Sequence, residues 1–147
     1  MKMKIKNIFT NKYITKEVEM TAKVHAAIRN RANGHALEIR VWNILRLRPH
    51  CLEACISSGS KGLFDVWSVN YGPIQQTLCV VKRNGYINPR ERKELARFMR
   101  VKPANTQVEF WYYKSPKKLT YRIMKTPEDF TKGKFRPTIF PKFWSSK

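Results

Sequence analysis

Asp65 stands between Phe64 and Val66 in the segment SSGSKGLFDVWSVNYGPIQQTLCVVK, residues 57–82, and Lys82 closes the next apolar run. An acid set between large apolar side chains is costly to keep ionised unless a cation or hydrogen bonds compensate it. A third group, Glu38, falls in GHALEIRVWNIL, one residue from an apolar stripe. An acid on one strand, a lysine on its neighbour and a glutamate from a flanking helix are the parts that phosphodiester hydrolysis requires. Carboxylates hold a divalent ion that polarises the phosphoryl oxygens and activates water, and an ammonium group steadies the developing charge. Each residue alone also has an ordinary explanation: Glu38 paired with Arg40 or Arg46, Lys82 as one surface cation among many, Asp65 accepting hydrogen bonds from the loop of residues 57–61. Only the three together point to chemistry.

These residues need elements to position them. Residues 1–16 are basic and mixed, and read as an arm or an added edge element. In KEVEMTAKVHAAIRNRAN the residues Val18, Ala22, His25 and Ile28 share one helical face, and Asn33 with Gly34 punctuates the pattern. A second helix is predicted over residues 35–48, with Leu37, Val41, Ile44 and Leu45 as its apolar stripe, and Pro49 stops it. Short apolar runs at residues 51–57 and 63–69, and the continuous run LCVV within residues 77–82, suit three strands, the last covered on both faces. Asn88, Pro89 and Glu91 form a helix start in which Asn caps, Pro fits the first position and Glu reaches back. Leu95, Phe98 and Met99 give that helix an apolar face as far as Pro103. QVEFWYYK and LTYRIM alternate as strands about the turn SPKK. The organisation expected is a basic arm over residues 1–16, one α/β domain over residues 17–125, and a basic aromatic tail over residues 126–147 without regular structure.

Thirty Lys and Arg against ten Asp and Glu give the 147-residue chain a formal net charge of +20. Such a field draws polyanions and makes their binding steeply salt-dependent, so nucleic acid is the expected partner. An apolar content of 42% suffices for one domain with a core. No apolar run approaches the roughly 20 residues of a membrane span, and the start MKMKIKNIFTNKYITK has neither an apolar signal core nor a small-residue cleavage site. A membrane partner is therefore not expected, and a cytoplasmic, nucleoid-associated setting is. Cys51, Cys55 and Cys79 lie in apolar segments without zinc spacing and read as small core thiols. His25, His35 and His50 are scattered.

Cations cluster around the three residues of interest. Lys61, Arg83, Arg90, Arg92, Lys93, Arg97 and Arg100 can contact phosphates, which gives affinity without base specificity. Ser58 and Ser60, in a loop with Gly59 and Gly62, can add hydroxyls and amides. Trp111, Tyr112 and Tyr113, and later Phe130, Phe135, Phe140, Phe143 and Trp144, interleave with Lys and Arg. Stacking on exposed bases is one use of that pattern, and core packing is the other.

GHALEIRVWNIL resembles the opening helix of the archaeal-type Holliday junction resolvases, where a Gly precedes a catalytic Glu by four residues; here these are Gly34 and Glu38. SSGSKGLFDV is similar to that family's Ser-rich segment leading to the metal-binding Asp, and LCVVK to its central strand, which normally ends in Glu-x-Lys. The resemblance spans roughly residues 34–124. It implies an α/β fold of the restriction-endonuclease-like type, a mixed central β-sheet flanked by helices. It further implies Glu38, Asp65 and Lys82 as catalytic residues, Mg²⁺ or Mn²⁺ held by Asp65 and Glu38, and a homodimer acting on branched or duplex DNA, while the net charge by itself admits RNA as the partner equally. One position departs from the pattern: Val80 stands where the middle carboxylate belongs, and Glu53 or Gln76 would be a poor substitute. Two expectations follow. One is a metal-dependent nuclease for branched DNA; the other is a pseudo-nuclease kept as a DNA- or RNA-binding module, such as a ribonucleoprotein component.

Overall fold

The computed structural model describes residues 11–57 and 62–132 and Phe135. In chain order the elements are α1 (Asn11–Arg46), β1 (Cys51–Ile56), β2 (Val66–Asn70), β3 (Gln76–Val81), α2 (Pro89–Val101), β4 (Thr106–Ser115), β5 (Lys118–Met124) and α3 (Glu128–Thr131). The chain divides into two compact units, Met1–His35 and Ala36–Lys147. In the first, the described residues are helical from Asn11 onward, so residues 11–16 belong to α1, while residues 1–10 lie outside the described residues. Val24, His25 and Ile28 are exposed there.

Asn33 and Gly34 do not interrupt α1. A single Gly costs about 1 kcal/mol relative to Ala inside a helix, and the strong helix formers on either side, Ala32 and Ala36 among them, outweigh it. The helix ends at Arg46, short of Arg48, whose backbone N–H instead reaches the Leu45 carbonyl at 3.1 Å.

The second unit is an α/β structure around one five-stranded mixed sheet in the order β1-β2-β3-β4-β5. β3 and β4 run parallel and every other neighbouring pair is antiparallel. A parallel neighbour requires a crossover, and α2 supplies it. β3 is buried on both faces, as its uninterrupted apolar sequence predicts. On one face Val80 packs with Ile87, Leu95, Val108, Phe110 and Met124; on the other, Cys79 and Val81 pack with Leu37, Val41 and Leu45 of α1 and with Trp111. Ile44, expected in the apolar stripe of α1, is exposed.

Two further results differ from the sequence reading. Residues 128–131 form the short helix α3, and Phe130 and Phe135, expected in an irregular tail, belong to the core cluster that contains Val80. Glu109 of β4, which no motif singles out, is fully buried. Its carboxylate accepts bonds from Arg48 Nη1 at 2.8 Å and Nη2 at 3.2 Å, from Gln107 Nε2 at 2.7 Å and from Trp111 Nε1 at 2.9 Å. A buried carboxylate answered by a bidentate guanidinium and two further donors is a satisfied structural charge.

Candidate active site

β2 begins at Val66, so Asp65 precedes the strand by one residue instead of lying inside it. The backbone still continues the ladder: Asp65 N–H donates to the Cys79 carbonyl at 2.8 Å, and the Asp65 carbonyl accepts from Ser57 N–H at 2.9 Å. One step further the side chain takes over, as Asp65 Oδ2 accepts the Val81 N–H at 2.8 Å. The carboxylate is thereby pinned against the end of β3, beside Lys82.

Lys82 follows β3 directly, and its N–H donates to the Trp111 carbonyl at 3.0 Å. Because side chains alternate along a strand, Lys82 points to the α2 side of the sheet, opposite Val81. There its Nζ meets Glu91 Oε2 at 3.0 Å. Glu91 occupies the third position of α2, whose start follows the sequence expectation: Pro89 opens the helix and Asn88 Oδ1 accepts the Glu91 N–H at 2.8 Å. The Glu91 side chain, predicted to fold back on the cap, reaches across to Lys82 instead.

Asp65, Lys82 and Glu91 form one electrostatic group. Burial pushes the Asp65 carboxyl above its ordinary range; the Val81 amide and the Lys82 charge oppose that shift, and Glu91 adds to it. A second carboxylate beside a desolvated first one favours a cation between them.

Position 80 offers no ligand, since Val80 is fully buried in the apolar cluster with Ile87 and Leu95. The two substitutes named from sequence are elsewhere. Glu53 is exposed on β1 opposite Val69, and Gln76 opens β3 at the end away from Lys82. Glu91 is the carboxylate beside Asp65, although its place in sequence suggests helix capping alone. Glu38 sits half-buried in α1, adjacent to the buried Leu37. Among the described residues, no group of three or more His, Cys, Asp or Glu is arranged to hold a metal ion. The cation that the Asp65 and Glu91 carboxylates share here is the Lys82 ammonium.

Around this group, Arg83 is half-buried and its carbonyl accepts the Tyr113 N–H at 3.2 Å. Arg90 is exposed and pairs with Glu94 at 3.7 Å, an ion pair that contributes little. Lys93, Arg97 and Arg100 are exposed on α2 at helical spacing, opposite the buried Leu95, Ala96 and Met99. Arg92 turns inward, with its Nε on the Ile87 carbonyl at 3.1 Å and its guanidinium over Phe135. Ser58, Ser60 and Lys61, named from sequence as phosphate contacts, lie outside the described residues. No helix among the described residues is long and apolar enough to cross a membrane. No protein-family model, curated protein or solved structure matches this chain.

Proposed function

We propose that this chain is a nucleic-acid-binding protein of the restriction-endonuclease-like type, acting as a metal-dependent phosphodiesterase on branched DNA. The observation that carries the reading is the joining of Asp65 to the end of β3 through the Val81 amide, which sets the carboxylate beside Lys82 and its partner Glu91. Asp65 and Glu91 would hold Mg²⁺ or Mn²⁺; Glu38, which the family resemblance implies as a ligand, is carried by α1 on the opposite face of the sheet and does not join them. Such an ion, when bound, polarises the phosphoryl oxygens and lowers the pKa of its water.

The protein's own groups do the rest. Lys82, held in place by Glu91, presents an ammonium group to the phosphate undergoing attack and stabilises charge as it develops. The exposed Lys93, Arg97 and Arg100, with Arg90, offer phosphate contacts that position a duplex without reading its sequence. Symmetric cutting of a junction calls for two centres, so a homodimer is the assembly this reading implies.

The burial of Val80 favours a second reading, in which the framework binds nucleic acid without cutting it. One experiment separates the two. The protein is incubated with a four-way junction, duplex DNA, single-stranded DNA and structured RNA, in Mg²⁺, Mn²⁺ or EDTA, alongside Asp65→Ala. Metal-dependent cleavage that disappears in Asp65→Ala supports the phosphodiesterase. Binding without cleavage in either metal leaves the non-catalytic binder, and binding that falls to background at physiological salt removes both.

A further inference from the structure

On the sheet face covered by α1, opposite the side to which Lys82 points, aromatic and arginine side chains form a second group. Trp111 and Tyr121 are directly opposed on β4 and β5, with ring centroids 4.6 Å apart and planes inclined by 22°. Trp111 is buried, and its Nε1 is fixed by Glu109 at 2.9 Å. Tyr121 is 43% exposed. It lies on β5, the last strand of the sheet, so no described strand covers the ring on its outer side. Leu119 and Ile123 extend the same face of β5, and Ile123 is also exposed.

Arginines line this face. The Arg48 guanidinium stands 5.2 Å from the Tyr121 ring centroid and 5.8 Å from that of Trp111. Arg40 donates to the Tyr113 hydroxyl at 2.8 Å and lies 5.7 Å from that ring. Arg46, 4.8 Å over Trp42, belongs to the opposite edge of the sheet, where Trp42 Nε1 donates to the Ala54 carbonyl of β1. The charge of Arg48 is answered by Glu109, whereas Arg40 is exposed. A rigid aromatic pair with one ring accessible, flanked by cations, suits an unpaired nucleotide: the ring stacks on the base and the arginines meet its phosphates. A duplex keeps its bases stacked inside and offers such a ring nothing.

We infer that Tyr121, backed by Trp111 and neighboured by Arg48 and by Arg40 over Tyr113, is a stacking platform for unpaired bases of a single-stranded nucleic acid. The inference rests on nucleic acid being the partner, and it gives the protein a single-strand contact on the face away from Asp65 and Lys82.

The test measures binding of the full chain to a labelled oligothymidine and to a duplex of equal length, by fluorescence anisotropy at one salt concentration. Tyr121→Ala and Tyr121→Leu are expected to weaken single-strand binding about tenfold while leaving duplex binding within about twofold, and Tyr121→Phe is expected to match the parent. Tyr121→Leu keeps the apolar bulk of the position, so the result does not depend on Tyr121→Ala folding. Unchanged single-strand affinity in both variants would overturn the platform, as would an equal loss on both ligands. If the parent protein binds neither ligand, the proposed function falls together with the platform; if it binds the duplex and Tyr121 is inert, only the platform falls.

Discussion

Asp65 holds its proton more tightly in the folded chain than in the unfolded one, because burial and Glu91 outweigh the Val81 amide and Lys82. Raised pKa means that the folded state binds more protons over the interval between the two values, so stability declines as pH climbs through it. Asp65→Asn keeps an acceptor for the Val81 N–H and removes the charge. It is expected to raise the melting temperature at neutral pH, with the gain over the parent shrinking as the medium is acidified and Asp65 itself becomes neutral; thermal unfolding across pH measures this. Glu109 presents the opposite case, a buried charge with every partner in place. Arg48→Met strands it and is expected to cost about 3 kcal/mol or more, read from denaturant unfolding, with much of the loss recovered when Glu109 is also replaced by Met. Asp65 and Lys82 are legible from their neighbours in sequence. Glu91 and Glu109 are not, because their roles depend on partners brought from other elements, Lys82 for one and Arg48 for the other.

At the scale of elements, α2 combines two surfaces of different use. Its buried Leu95, Ala96 and Met99 anchor it to the sheet, its first turn delivers Glu91 to Lys82, and its outer side carries Lys93, Arg97 and Arg100. Reversing two of those charges, Lys93→Glu with Arg97→Glu, is expected to weaken duplex binding and to flatten the plot of log affinity against log salt by about 0.9 for each phosphate no longer neutralised. Unfolding of that variant should change little, since the replaced side chains are exposed. The strands and the capped start of α2 can be read from local patterns, where β-branched runs and an Asn-Pro pair act over a few residues. The continuity of α1 through Asn33 and Gly34 cannot, because one unfavourable residue is decided by the helix formers on either side. Nor can α3, whose Phe130 is buried against a core formed far away in sequence.

Across the whole molecule, charge and topology contribute separately. The net charge of +20 speaks only of partners, while the sheet order decides which groups can meet. The parallel pairing of β3 with β4 has a temporal consequence. β2 and β3 form a hairpin joined by a few residues, and the Asp65–Val81 bond spans only 16 positions, whereas β4 can pair with β3 only after α2 has crossed over. Loop closure favours short separations, so the hairpin is the first part of the sheet able to assemble. Pulse-labelled hydrogen exchange during refolding is expected to protect the Val81 amide before those of β4, and simultaneous protection would refute this order. As the chain leaves the ribosome, Asp65 and Lys82 would then be neighbours before Glu91 arrives to hold the lysine, and the centre would be seated before β4 and β5 complete the sheet.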